Sequence, residues 1–362
     1  MSKQTIHHAN RTCCMLLLAG MSAWAGAPTI AQECGWHQVE VAGPPARHSH
    51  AMVYDSARKV VVLFGGLNGG NSRDSVEFGD TWEWNGTAWK QVADAGPSPR
   101  MGHAMVYDSL RGVTVLFGRG GSQDTWEWDG IKWTQVADTG PSARGRHGMA
   151  YDSLRGVTVL FGGIPRELGD AWEWDGVVWT KVAETSAPTG RSQPGVVYDP
   201  GPVGRSRLAM AYDPNRKATI LFGGRLADGQ ALGDTWAWDG TVWTQLGDDD
   251  TLARSRHAMV YDSDRGVMVV FGGMKGPQLK DTLEWDGSEW KQVATSGPPR
   301  RMYHAMAYDS ARKVVVLFGG WDGTPLADTW EYRCPQEPPP QGVTEEPKDQ
   351  RSRQTARPAP RR

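Results

Sequence analysis

The run Arg47-His48-Ser49-His50-Ala51-Met52-Val53-Tyr54-Asp55 decides the fold, because the chain returns to it again and again. Its Arg recurs at Arg100, Arg144, Arg205, Arg254 and Arg301. Its Tyr-Asp pair recurs at Tyr107-Asp108, Tyr151-Asp152, Tyr212-Asp213, Tyr261-Asp262 and Tyr308-Asp309. These are six copies of one unit, 44 to 61 residues apart. A period of that size marks a solenoid or a propeller.

Each copy carries four strand signals. In the first, strand A is His50-Ala51-Met52-Val53-Tyr54, which alternates large and small side chains as a strand with two different faces does. The turn Asp55-Ser56-Ala57-Arg58 leads to strand B, Val60-Val61-Val62-Leu63-Phe64, apolar throughout and so expected to be buried on both faces. After Gly65-Gly66 and a loop of variable length comes strand C, Asp80-Thr81-Trp82-Glu83-Trp84. An Asn85-Gly86 turn, a strong hairpin signal, joins it to strand D, Trp89-Lys90-Gln91-Val92. One four-stranded sheet cannot bury both its faces alone, whereas six arranged radially cover one another. Of the 18 Trp, all but Trp24 and Trp321 fall in repeat register on strands C and D, where their default role is packing between blades.

An apolar strand ending in Gly-Gly, then an aromatic strand, then a spaced Trp resembles the kelch repeat. The carriers are Gly65-Gly66, Trp82, Trp84 and Trp89, then Gly162-Gly163, Trp172, Trp174 and Trp179, and again Gly272-Gly273, Trp285 and Trp290. Blade two departs with Gly118-Arg119, and blade five with Leu283 in place of a strand-C Trp. The resemblance covers residues 35–334 and implies an all-β, six-bladed propeller of the galactose oxidase-like kelch superfamily, in a bacterial-type exported member. Kelch propellers include binding scaffolds and enzymes alike, so the resemblance specifies fold and leaves function open.

The last repeat ends at Thr329-Trp330-Glu331-Tyr332 without a strand D, and an orphan strand D, Trp36-His37-Gln38-Val39, precedes the first repeat. The N-terminal segment is therefore expected to complete the last blade, removing open sheet edges. Aligned to the first repeat, Cys334 and Cys34 fall at consecutive turn positions, and a ring-locking disulfide is expected between them. The alternative is two free thiols.

Lys3 and Arg11, the apolar stretch from Cys13 to Ala25 and the small residues after it read as a signal peptide. Cleavage options are Ala23-Trp24-Ala25, Ala25-Gly26-Ala27, or a site after Ala31. The apolar run is shorter than the roughly 20 residues a membrane span needs. Residues 1–31 are thus read as leader and linker, 32–334 as the propeller, and 335–362, rich in Pro and Arg, as a disordered tail. Residues 190–200 echo 204–214, a duplicated strand A, and the second copy is expected to fill blade four because it keeps the Met and runs directly into strand B.

The formal net charge of −2 argues against nucleic acid as a partner. His50, His103, His147, His257 and His304 share one strand-A position, with Leu208 in blade four. They are read as packed within their blades, since ring-spaced strands hold them too far apart for one tetrahedral ion, and no metal or other cofactor is expected. The repeat Arg residues, Arg47, Arg100, Arg144, Arg205, Arg254 and Arg301, have two readings. They either circle one mouth of the channel as an anion site, or pair with the registered acids Asp80, Asp124, Asp170, Asp234, Asp281 and Asp328.

Strand direction places the variable D–A and B–C loops on one face, where binding usually resides. Trp321 follows Gly319-Gly320 there, and with its equivalent Arg225 and nearby Arg119 it forms a ligand-binding candidate for stacking a sugar or gripping a peptide. The copper radical oxidase chemistry of the superfamily needs a Cys within the blades, and none lies there. No phosphate loop, dinucleotide fingerprint or nucleophile elbow is present.

The leading expectation is a secreted or periplasmic, monomeric binding module for a protein or glycan, with no catalytic residue assigned. The alternatives are a sugar-acting enzyme resembling the kelch sialic acid epimerases, with its site at the channel mouth, and a structural envelope or matrix protein. The discriminator is symmetry breaking at the channel: an enzyme gathers unpaired acids, Arg or His from several blades, whereas a scaffold pairs its Arg and His internally.

Overall fold

In a computed structural model, residues 34–70, 74–121, 123–184 and 201–335 are described. The leader, the first strand-A copy at 190–200 and the tail beyond 335 lie outside them. The chain begins with β1 (Gly35–Val39), and blade one follows as β2 (Ala51–Asp55), β3 (Val60–Phe64), β4 (Thr81–Trp84) and β5 (Trp89–Ala93). Blade two is β6 to β9 (Ala104–Asp108, Val113–Phe117, Thr125–Trp128, Trp133–Ala137), and blade three is β10 to β13 (Gly148–Asp152, Val157–Phe161, Asp170–Trp174, Trp179–Glu184). Blade four is β14 to β17 (Ala209–Asp213, Ala218–Phe222, Asp234–Trp238, Trp243–Asp248), and blade five is β18 to β21 (Ala258–Asp262, Val267–Phe271, Thr282–Trp285, Trp290–Ala294). Blade six holds β22 (Ala305–Asp309), β23 (Val314–Trp321) and β24 (Pro325–Arg333).

Every blade is a four-stranded antiparallel sheet, and the sixth takes β1 as its outer strand in the order β1-β24-β23-β22. Trp36 lies opposite Tyr332 and Val39 opposite Thr329. Cys34 and Cys334 are joined in a disulfide across 300 residues of sequence. The second copy of the duplicated segment supplies β14, which pairs with β15.

The cores lie between blades. Val62 and Phe64 of blade one pack with Met105, Leu116, Trp128 and Trp133 of blade two, and the other seams repeat this pattern. The B strands are buried on both faces, as their unbroken apolar run demands. Strand-D Trp rings also bond across five of the six seams. Trp133 Nε1 donates to Thr81 Oγ1 at 2.8 Å, Trp179 to Thr125 at 2.8 Å and Trp89 to Thr329 at 3.0 Å. Trp36 and Trp290 do the same with Thr282 and Thr235. Blade three has Ala171 where the Thr belongs, and Trp243 Nε1 is buried without a partner among the described residues.

The reading that placed the six repeat Arg around the channel mouth is corrected here. Each lies inside its blade, almost wholly buried, gripping the registered Asp with both ends of its fork. Arg47 Nη1 and Nη2 donate to Asp80 Oδ1 and Oδ2 at 2.7 and 2.8 Å, and Nη1 also reaches the Gly65 carbonyl at 2.9 Å. The Asp80 carboxylate accepts in addition from Trp82 Nε1 at 2.7 Å. A buried guanidinium needs such a partner to offset its lost hydration, and with its donors so engaged it has little left for a ligand.

Candidate functional site at the channel mouth

The residue before each strand-A His forms the channel wall: Ser49, Gly102, Arg146, Arg207, Arg256 and Tyr303. All have left-handed backbone, with φ between 57° and 66°. That conformation is uncommon for side chains larger than Gly, and it is held by a closed belt of hydrogen bonds. The Ser49 N–H donates to the Tyr303 carbonyl at 2.8 Å, Gly102 to Ser49 at 2.8 Å and Arg146 to Gly102 at 2.7 Å. Arg207 donates to Arg146 at 2.8 Å, Arg256 to Arg207 at 2.9 Å and Tyr303 to Arg256 at 3.0 Å. The belt ties every blade to the next and consumes the wall's amides, so only side chains give the mouth its chemistry.

Inside the belt is a cavity of about 120 Å³, walled by these residues and by the strand-A His residues with Leu208. The His residues contribute no charge. Each is fully buried, with its ring set against the Phe that ends the preceding blade's B strand, as His103 is against Phe64 at 5.5 Å. Burial, reinforced by the nearby repeat Arg, lowers His103, His147 and His257 to about 3. Among the described residues, the group of ligating side chains close enough to share an ion is Cys34, Glu284 and Cys334, and its two sulfurs are already bonded to each other.

The charge comes from blades three, four and five. Arg146, Arg207 and Arg256 surround the ring of Tyr303. The guanidinium carbons of Arg146 and Arg256 lie 5.3 and 5.1 Å from its centroid, and Arg207 Nε donates to its hydroxyl at 3.3 Å. Arg119 and Arg225 stand close enough to repel them. Among the described residues none of these five has an ion-pair partner, although the repeat Arg of every blade do, as do those of the A–B turns such as Arg58 and Arg111. Burial first, and then the neighbouring guanidiniums, weaken the hold of Arg146 and Arg256 on their protons, while Tyr303 acts the other way. Their Nε atoms are buried without a partner. Arg207 Nη1 shares the Ser206 hydroxyl, at 3.1 Å, with Glu167, at 3.4 Å.

Local sequence makes room for this cluster. A Cβ on Gly102 would stand 3.4 Å from the Arg146 side chain, and one on Gly145 would press on Arg119 at 3.0 Å. Arg119 occupies the second position of the Gly-Gly pair at φ 32°, a backbone better suited to Gly, and this brings its side chain over both small residues.

Of the candidates read from the sequence, Arg119 and Arg225 do not line the cavity but lie within electrostatic reach of Arg146 and Arg256, and Arg225 Nε donates to the Gly229 carbonyl at 3.1 Å. Trp321 ends β23 behind the wall, its ring 5.1 Å from His48, which in turn lies 5.9 Å from Tyr303. Arg146, Arg207, Arg256 and Tyr303 were missed. The signal was present: the position before the strand-A His, or Leu208 in blade four, reads Ser, Gly, Arg, Arg, Arg, Tyr, while the Arg two positions earlier repeats in all six copies and the His after it in five.

A family model described as the KLHDC2/KLHL20/DRC7 kelch-repeats domain matches residues 192–338. No curated protein matches the chain. Among solved structures, one titled "Structure of YjhT" superposes with a TM-score of 0.58 at 13% identity, over 79% of this chain and 95% of that one, a likeness of fold. Six four-stranded blades make the chain a six-bladed β-propeller, and the recurring Gly-Gly and Trp register, with the family model over residues 192–338, makes its repeats similar to kelch repeats.

Proposed function

We propose that this propeller is an exported binding module that takes an anionic ligand on its D–A/B–C face, at the channel mouth. One observation carries the reading. The fold neutralises its repeat Arg with registered carboxylates, yet leaves Arg146, Arg207 and Arg256 around one cavity with no ion-pair partner among the described residues. Keeping guanidiniums together against their own repulsion is costly unless something negative joins them. Trp321, Arg225 and Arg119 form the outer contacts, on loops that differ from blade to blade, as suits a ligand larger than the cavity. The leader-like N-terminus and the Cys34–Cys334 disulfide support export to an oxidising compartment.

A panel of acidic and neutral glycans and peptides, screened against the full chain by calorimetry, tests the reading. Acidic ligands should bind, with affinity that falls as salt rises, and Arg207→Ala and Arg256→Ala should weaken them at least tenfold. Equal binding of neutral ligands, or affinity untouched by either substitution, would remove the basis of the proposal. The sugar-acting enzyme remains as a second reading because Glu167 supplies an acid beside the Arg207 wall. Turnover of a bound acidic sugar, lost in Glu167→Gln with binding kept, would favour it.

A further inference from the structure

We infer that the group seated between Arg146, Arg207 and Arg256 is a phosphate monoester carried by a small molecule, whose remainder lies against Tyr303 and Trp321. This rests on the reading above that the mouth holds an anionic ligand, and it names the chemistry of that ligand.

The first argument is the number and direction of donors. Arg146, Arg207 and Arg256 come from three consecutive blades and meet around a single aromatic ring. A carboxylate is planar, and one guanidinium fork satisfies its two oxygens. That arrangement is what this protein uses inside its blades, where one Arg meets one Asp. A phosphate monoester presents three terminal oxygens in a pyramid, each open to a different guanidinium.

The second argument is charge. The three guanidiniums, with Arg119 and Arg225 beyond them, repel one another, and among the described residues none has a carboxylate in ion-pair contact, Glu167 reaching Arg207 only through the Ser206 hydroxyl. A phosphate monoester brings about −1.5 to −2 at neutral pH, roughly twice the charge of a carboxylate. The third argument is that, apart from Glu167 behind Ser206, the wall carries cationic and neutral groups that accept a dianion. The channel His residues are neutral, and the belt amides and carbonyls are spent on one another. The Tyr303 hydroxyl accepts from Arg207 Nε and keeps its own proton to donate to a ligand oxygen.

The aromatic side of the mouth suits the carrier. His48 is fixed by hydrogen bonds to Ser49 and to the Gly69 carbonyl, and it stands between Tyr303 and Trp321. Tyr303 and Trp321, both partly exposed with the buried His48 between them, form an aromatic wall next to the cationic one, on which a sugar or other ring can rest.

Calorimetry on the full chain with inorganic phosphate, methyl phosphate, phenyl phosphate, methyl sulfate, acetate and glucuronate decides the matter. Methyl phosphate should bind more tightly than methyl sulfate, which has the same shape and one charge fewer, and acetate and glucuronate should be weaker still. Phenyl phosphate should gain further affinity, and that gain should vanish in Trp321→Ala. Arg207→Ala and Arg256→Ala should each cost at least tenfold for methyl phosphate, with Arg207→Lys in between. Neither loss should lower the ligand-free melting temperature, because removing one of several mutually repelling charges relieves strain; a residue with a merely structural role would lower it. Acetate, glucuronate or methyl sulfate binding as tightly as methyl phosphate would overturn the phosphate assignment and leave the anionic-ligand reading standing. If no anion binds, both readings fall.

Discussion

Replacing Cys34 and Cys334 together with Ser opens the ring at a defined place, and the consequence can be worked out. The bond closes a loop with a sequence separation of 300 residues. Chain-entropy bookkeeping assigns such a closure about 5–6 kcal/mol, an upper value because residual structure in the unfolded chain reduces it. The rest of the seam survives the substitution. β1 remains paired with β24 over five residues, and Trp36 stays packed on Phe271 and Tyr332 with its Nε1 bonded to Thr282. The native ring should therefore still form, and the loss should appear in the equilibrium against the unfolded chain. With a urea dependence of about 3 kcal/mol per molar for a chain of this size, the unfolding midpoint should fall by about 1–2 M. Urea titration followed by Trp fluorescence, on the parent with and without reductant and on the double variant, measures this. The reduced parent and the double variant should coincide. A midpoint that does not move in either would refute the reasoning, since it would mean that the closure contributes nothing once β1 is docked.

Three further outcomes are expected. Ala171→Thr gives Trp243 the seam hydrogen bond that every other strand-D Trp has, and should raise stability by about 1 kcal/mol; a loss would show that blade three has closed over the space the hydroxyl needs. Asp170→Asn leaves Arg144 buried without its counter-charge and should cost about 3–5 kcal/mol, and a thermal melt within a degree of the parent would contradict this. The buried channel His residues are held neutral, so protons bind the unfolded chain first. Their contribution is full above pH 6.5 and is lost as pH falls from 6.5 towards about 3, with Asp80, Asp170 and Asp328, held low by their Arg despite burial, adding to the loss below 3.8. Melting temperature should therefore fall steeply from pH 6.5 to 4.5. His103→Leu, which copies what blade four has at Leu208, should flatten that fall, and an unchanged profile in the variant would sink the assignment.

Much of this molecule is legible along the chain. The alternating A strand, the apolar B strand and the Asp-Gly hairpins are local patterns, and their six-fold return leaves a closed ring as the arrangement that buries every sheet. The missing last strand at one end, the spare strand at the other, and Cys34 beside Cys334 in the aligned turn mark where the ring closes. The pairing of Arg47 with Asp80, repeated around the ring, was also present as one of two open readings.

The site itself belonged to tertiary structure. A sequence shows that Arg47 and Arg207 are both arginines near the start of a strand, two positions apart in register. It does not show that the first turns inward to an Asp while the second turns to the channel. That difference is made by the left-handed backbone at the wall position, and a belt of hydrogen bonds running from each blade to the next holds that conformation. No residue within one repeat encodes the belt, because every bond in it crosses a seam. Only when the ring is closed do Arg146, Arg207 and Arg256, dozens of residues apart, come to face one tyrosine with no ion-pair partner among the described residues. Local pattern determined the blades, whereas the charge at their common centre depends on closure, which brings like groups together in space whatever their separation in sequence.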